Sequence, residues 1–274
     1  MRSQHTDLGP VSVVERISLI LEAFHGTGPL TLVEVTRRTG LPRSSVHRLL
    51  EQLTATGWLE RAEQTYELGV KAYEIGRTAY NQNRLVQHAT PVMRRLAATV
   101  GLTVHLGTID REDIIYLAGV PGRRSPSSDI ATGSRVPALA TGIGRAIVAN
   151  LPEDRIAELL AAPQAGGAPM SATTRSHLLA ELARVRDHGA AYDRQEFRAG
   201  ISCVGVAIGP PDHYYGNRAA ISVFGLAREM EPPAKLTGPL RIAAAEIWDR
   251  CVAAHLAPDY LNNWRSPVPG SPYS

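Results

Sequence analysis

The sequence predicts an α+β protein: a small helical head ending in a β-hairpin, a connecting helix, and a larger domain whose antiparallel sheet is flanked by helices. Three observations predict it. Short runs of helical periodicity, broken by glycine-containing turns, fill the N-terminal third. An alternating run with a polar turn follows them, at residues 58–68. From about residue 86, strand-like and helical runs are mixed, and two of the strands are joined by a three-residue polar turn. A chain of 274 residues accommodates one large domain or two small ones. Its 44% hydrophobic and 20% charged content is that of an ordinary globular protein and excludes overall disorder.

Several classes fall away early. No run of 18 residues lacks charge and Pro/Gly breaks, so no membrane span is expected. Met1 to Ile20 carry Asp7 and Glu15 and no apolar core, so no secretory signal is expected. Two cysteines, Cys203 and Cys251, make neither a disulfide framework nor a four-cysteine zinc site, and a reduced, cytoplasmic protein is the default. The net charge of +3 is too weak to imply nucleic acid by itself, so the placement of the charge decides.

The head reads in order. Val14, Ile17, Leu21 and Phe24 predict an amphipathic helix over 11–24, and His25–Pro29 a turn. Thr31 with Glu34 three residues on is a capping box for a short helix over 31–39, stopped at Gly40. Pro42 starts a third helix, running to about Ala55, with Val46, Leu49, Leu50 and Leu53 as its buried stripe. Two short helices joined by a Gly-containing turn form a helix-turn-helix. From Thr36 to Leu50 there is no acidic residue, while Arg37, Arg38, Arg43 and Arg48 fall inside the window with His47. Charge alone would make this a solvated helix face. The second helix of such a pair, however, lies in the DNA major groove with its N-terminal residues at the base edges. Those residues are Arg43, Ser44, Ser45, His47 and Arg48. Arginine reads guanine O6 and N7 bidentately, serine hydroxyls suit phosphates or bases, and the helix N-terminus favours a phosphate. The alternating WLERAEQTYELG is a β-wing on those helices, with Trp58, Leu59, Tyr66 and Leu68 as packing residues. Arg61 near its tip is a candidate phosphate or minor-groove contact.

GLPRSSVHRLLEQLTATGWLE followed by YELG closely resembles the winged helix-turn-helix of the IclR family of bacterial transcription regulators. The Val-His-Arg-Leu-Leu run is its most specific part. The resemblance places a winged helix-turn-helix over 11–69 and a linker helix over 70–85, with Ala72, Ile75 and Ala79 along one side. In the family such a helix helps form the dimer.

The rest of the chain reads as a separate domain over 86–256. A helix carrying Val92, Leu96 and Val100 precedes Gly101. Strands over 103–109 and 113–120 form a hairpin, followed by a polar loop at 122–128. Helices are expected over 140–150, 151–161 and 175–189, with a flexible loop at 162–171. Three strand-like runs follow, AAYDRQEF, ISCVGVAIG and AAISVFGL. A C-terminal helix carries Leu240, Ala244, Ile247, Cys251 and Ala254 at 3–4 spacing, and 257–274 is a loose, proline-rich tail.

GSRVPALATGIGRA and YDRQEFRAGISCVGVAI are also similar to IclR-family segments, which implies a GAF-like effector domain. Leu139, Gly142, Arg145 and Gln195 depart from the family's usual His, Ala, Lys and Glu. The small-residue turn at Ala140-Thr141-Gly142 opens a helix whose free N–H groups and dipole suit an anion, so a carboxylate effector is expected. The expected pocket residues are Ala140, Thr141, Gly142, Asp193, Glu196, Cys203 and Ser222. Each has a plainer alternative. Cys203 can be a small buried hydrophobe. Asp193 and Glu196 can hold a turn or pair with Arg194 or Arg198, Ser222 can be a strand-surface residue, and the glycines can serve tight packing. No phosphate loop, nucleophile elbow or HExxH motif occurs, so neither enzyme activity nor a metal or other cofactor is expected. The expected partners are a double-stranded DNA operator, a small-molecule effector such as an organic acid, and a second copy of the chain, as a homodimer or dimer of dimers. The alternative is a metabolite-sensing interaction protein that no longer reads DNA.

Overall fold

The structure is a computed structural model that describes residues 12–124, 130–162, 170–209, 218–230 and 234–254. These form two compact units, residues 12–82 and 83–254. Parts of the loops expected at 122–128 and 162–171, and the whole expected tail, lie outside the described residues.

The first unit contains α1 (Val13–Glu22), β1 (Leu30–Thr31), α2 (Leu32–Thr39), α3 (Arg43–Ala55), β2 (Leu59–Ala62), β3 (Thr65–Leu68) and α4 (Val70–Gln82). The capping box at α2 forms as read: the Thr31 hydroxyl accepts from Glu34 N and the Glu34 carboxylate accepts from Thr31 N. Gly40 ends α2 at φ +66°, a left-handed conformation that glycine adopts without Cβ strain. The core gathers Ile20, Phe24, Val35, Val46, Leu49, Leu50, Leu53, Leu59 and Tyr66. β2 and β3 pair antiparallel as the wing, and the two-residue β1, which has no alternating pattern of its own, pairs with β3.

Four residues of the first unit differ from expectation. Val14 is 72% exposed, and Ile20 rather than Val14 turns to the core. Leu68 is 48% exposed, because β3 presents Tyr66 to the core and Leu68 closes the wing beyond it. In α4, Ile75 and Ala79 are exposed, and none of the helix's side chains is fully buried.

The second unit contains α5 (Arg84–Val100), β4 (Thr103–Asp110), β5 (Asp113–Val120), β6 (Arg135–Pro137), a 3₁₀ turn (Ala138–Ala140), α6 (Gly142–Val148), α7 (Glu153–Ala161), α8 (Ala172–His188), β7 (Ala191–Arg194), β8 (Ile201–Ala207), β9 (Ala219–Leu226) and α9 (Ala234–Ala253). The six strands form one antiparallel sheet in the order β6-β5-β4-β9-β8-β7. Register and alternation put Val104, Leu106, Val204, Val206, Ile221 and Val223 on one face, which packs on α5 and α9. The other face carries Gly107, His105, Ser222, Phe224, Cys203, Gly205 and Asp193, and α6 packs there. A bulge in the β4–β5 pairing beside Leu106/Gly107 adds one residue to β5 and returns Tyr116 to this second face, opposite Gly107. The segment AAYDRQEF is strand only through Arg194, because Gln195 adopts φ +69° and turns the chain. β6, three residues long, gave no alternating signal.

Candidate functional site

The recognition surface is the outside of α3. Val46, Leu49, Leu50 and Leu53 are buried as the stripe required, which turns Arg43, Ser44, His47, Arg48, Glu51 and Gln52 outward, with Ser45 half-buried. α3 has Pro42 before it, no side-chain cap and no acidic residue in its first turn. Its first N–H groups therefore have no partner inside the helix or from a cap. Arg43, His47 and Arg48 make no hydrogen bond or ion pair among the described residues. Arg61 differs. Its Nη1 donates to Glu51 Oε1 at 3.1 Å, its Nε donates to Glu63 O at 3.2 Å, and its guanidinium lies 5.5 Å from the Tyr66 ring centroid. The wing arginine is thus engaged with the protein itself.

In the second unit, most of the expected pocket residues meet, but as a bonded floor rather than an open cup. Thr141 caps α6, its hydroxyl accepting from Gly144 N at 3.1 Å. The Ile143 amide faces the Cys203 sulfur. Two of the amides expected to hold an anion at the start of α6, those of Ile143 and Gly144, are therefore already occupied. Gly142 abuts β7 and β8: a Cβ there would lie 3.3 Å from Asp193 N and 3.4 Å from Cys203 Sγ. Its role is close packing, the plainer of its two readings. Asp193 holds the turn after β7, accepting on Oδ1 from Glu196 N at 2.8 Å and Phe197 N at 3.4 Å. Burial raises the Asp193 pKa and those two amides oppose the rise. Glu196 pairs with Arg145. Arg145 is 3% exposed; its Nη1 also donates to Glu181 at 2.9 Å, and its Nη2 to Tyr192 O at 3.2 Å. A lysine at this position has no planar fork to reach three acceptors in two directions.

Around this floor lie groups the sequence did not single out. His105 is buried with its ring 5.2 Å from Tyr116 and 5.6 Å from Phe224, and burial pushes its pKa down to about 4. It is neutral near pH 7. Tyr116 faces Thr141, and burial raises its pKa. Burial likewise pushes the Cys203 thiol up to about 12, so it behaves as a small hydrophobe and not as a nucleophile. Ser222 Oγ is buried beside that thiol without a hydrogen-bond partner of good geometry.

A cavity of about 440 Å³ opens in the same unit, lined by Ile130, Ser134, Arg135, Val136, Phe197, Arg198 and Phe224. None of the expected pocket residues is among its lining. Ala140 sits half-buried in the 3₁₀ turn, while Thr141, Gly142, Asp193 and Ser222 lie in the floor. The bridge is indirect: Phe224 lines the cavity and touches His105, and the turn that Asp193 and Glu196 hold carries Phe197 and Arg198. One signal was available, since two of the chain's three phenylalanines, Phe197 and Phe224, are in this wall. Arg135 is held by Asp110 at 2.8 Å and Asp113 at 3.2 Å. Among the described residues no group of His, Cys, Asp and Glu could hold a metal ion, and no helix is long and apolar enough to cross a membrane.

The model of the IclR helix-turn-helix domain matches residues 13–63, and that of the bacterial transcriptional regulator IclR C-terminal region matches residues 77–248. The chain belongs to the IclR family. It is a DNA-binding transcriptional regulator. It is 29% identical over 202 residues to the HTH-type transcriptional regulator XynR of Escherichia coli K12, covering 72% of this chain and 80% of that protein. It is 27% identical over 220 residues to the transcriptional repressor IclR of the same strain, covering 78% and 79% of the two chains. Among solved structures, an IclR homolog from Microbacterium hydrocarbonoxydans, complexed with 4-hydroxybenzoate, has a TM-score of 0.74 at 23% identity, covering 88% of this chain and 100% of that one. The last likeness concerns the fold. XynR and IclR are regulators throughout the lengths compared, so both halves of this IclR-family chain have counterparts in them.

Proposed function

We propose that this IclR-family chain is an effector-responsive regulator that binds a pseudo-palindromic operator as a homodimer or dimer of dimers. In this reading α3 enters the major groove and Arg43, Ser44, Ser45, His47 and Arg48 make the contacts. The observation that carries it is the outward, unpaired set Arg43, His47 and Arg48 on a helix whose first amides have no cap. Cationic side chains and free amides on one convex surface suit phosphate and base edges together. Repression, the sense named for the E. coli relative IclR, is the regulatory direction we adopt.

The effector site in this reading is the cavity bounded by Phe197, Phe224, Ile130 and Val136. Its volume and largely apolar walls suit a small ring or short chain, and a carboxylate on such a compound would compete with Asp110 and Asp113 for Arg135 in the wall. The Microbacterium structure holds such a compound, 4-hydroxybenzoate, on a similar fold. The expected residues of the floor act here by supporting that wall, in a unit we read as GAF-like. Bound ligand changes operator affinity only by its unequal affinity for two arrangements of the protein.

The test is selection of fragments by the purified protein from its own fragmented genome, at about 0.15 M salt to suppress non-specific phosphate binding. The expected result is enrichment of a short inverted repeat, repeated with Arg48→Ala as a control that loses it. A folded protein that enriches nothing with or without added 4-hydroxybenzoate would favour the interaction-protein alternative.

A further inference from the structure

We propose that Glu51 is a positioning residue for DNA recognition, which holds the wing Arg61 on the recognition helix and so keeps it off the backbone of non-specific DNA. The inference rests on DNA binding alone and is independent of the effector. Glu51 lies on α3 one turn beyond His47 and Arg48, so it shares their exposed face. A carboxylate on a surface that meets phosphates is a cost unless it serves another purpose. Its partners show the purpose. Oε1 accepts from Arg61 Nη1 at 3.1 Å and from the Tyr66 hydroxyl at 3.3 Å. The same guanidinium is held from two further sides, by the Glu63 carbonyl at 3.2 Å and the Tyr66 ring face at 5.5 Å. Glu63 itself turns the wing tip at φ +53°, and its carbonyl is the one that accepts from Arg61.

The consequence is a cation withdrawn from the phosphate count. Arg43, His47 and Arg48 are free to meet DNA, while Arg61 is neutralised within the fold. Both partners are about half exposed, 47% and 49%, so the pair is screened by salt and open to competition. On arbitrary DNA the carboxylate keeps Arg61. Glu51 thereby lowers non-specific affinity without touching the residues that read bases.

The experiment uses the full chain and a short fluorescein-labelled duplex of arbitrary sequence, with affinity followed by anisotropy from about 0.05 to 0.2 M salt. Each phosphate contact adds about 0.9 to the slope of log K against log salt, about 3.5-fold in affinity across that range. Arg61→Ala in the wild-type background should bring no gain; it frees the Glu51 carboxylate beside the phosphates and should lower affinity modestly. Glu51→Gln should raise affinity by a few-fold and steepen the slope by about 0.9. The double variant Glu51→Gln/Arg61→Ala should fall back to wild type. Glu51→Ala repeats the series without a residual amide that could still hold the guanidinium, and circular dichroism checks the fold of each variant. Three results would overturn the proposal: a double variant whose slope falls below wild type, no gain in either Glu51 variant, or a gain that survives removal of Arg61. Failure of the wild type to bind any duplex at low salt would overturn it together with the DNA reading.

Discussion

In the head, the residues placed to meet a partner stand outside the fold, while in the larger unit the polar residues expected to meet a ligand are occupied with one another. Arg43, His47 and Arg48 contribute nothing to the core of the first unit. Thr141, Asp193, Glu196 and Arg145 bond α6 to the turn after β7. The difference follows from the partners. A large charged polymer meets a convex, solvated surface, where polar groups are satisfied by water until it arrives. Polar groups on the inner face of a sheet must find partners in the protein, since a buried group left unpaired costs about 1–3 kcal/mol.

Substitutions can break or sharpen this contrast. The largest effect is expected at Gly205, where a Cβ would lie 2.5 Å from Gly142 O and 2.7 Å from Gly142 C, both backbone atoms. Gly205→Ala must lift α6 from β8, at or beyond the upper end of the roughly 1–3 kcal/mol cost of overpacking. Thermal unfolding of the second unit should shift down while that of the head stays put; coincident, unshifted transitions would contradict the packing.

His105 gives an effect of similar size that depends on pH. In the unfolded chain it takes up a proton near pH 6.5, while in the fold it stays neutral down to about 4. Between those values the unfolded state binds more protons, so stability falls as pH drops and is complete above pH 6.5. The expected loss is about 3 kcal/mol across the window. His105→Phe should flatten it, as urea midpoints at pH 7 and pH 4 would reveal; an equal fall in both proteins would assign the pH dependence elsewhere.

Arg145→Met leaves two carboxylates facing an apolar side chain. Removing one partner of a buried pair costs about 3–5 kcal/mol. Glu196 is 49% exposed and Glu181 22%, so water relieves part of this and about 2–3 kcal/mol is expected. Trypsin should also cut faster after Arg198 as the turn loosens; unchanged cleavage would separate Arg145 from that turn.

The smallest stability effect belongs to the head. Arg48→Ala should leave the unfolding midpoint within about 0.5 kcal/mol, yet weaken binding to a selected operator by about 1–3 kcal/mol and relax preference at one base position. A variant that binds as before, or unfolds early, would erase the contrast from which the comparison began.

The same contrast decided how much could be read beforehand. The head is local: a capping box four residues long, a glycine stop, a proline start and a stripe within one helix are all adjacent in sequence, and each forms as read. Even there, the Glu51–Arg61 pair is not legible, because its partners meet only where the wing packs back on α3. In the larger unit the helices and most strands follow from periodicity. The cavity does not, since its walls come from residues 130–136, 197–198 and 224. β6 is too short to alternate, and Phe197 reaches the cavity through a left-handed Gln195 that nothing in the residue type announces. The residues expected at the pocket from the small-residue turn at 140–142 lie in the bonded floor, because glycine, threonine and cysteine signal close packing and capping as readily as ligand contact.

The turn from Gln195 to Gly200 has a back and a front. Asp193 and Arg145 grip it from behind, and the Gln195 side chain closes it onto Gly200 N at 2.9 Å. Phe197 joins that grip only through its backbone N–H on Asp193, and its side chain lines the cavity. Scaffold and faceplate are thus separate components. The side chain at 197 can be exchanged, and the shape of the cavity with it, without rebuilding what holds the loop in place. On the proposed reading of the cavity, the same division makes position 197 a natural starting point for turning the protein into a sensor of a different small molecule.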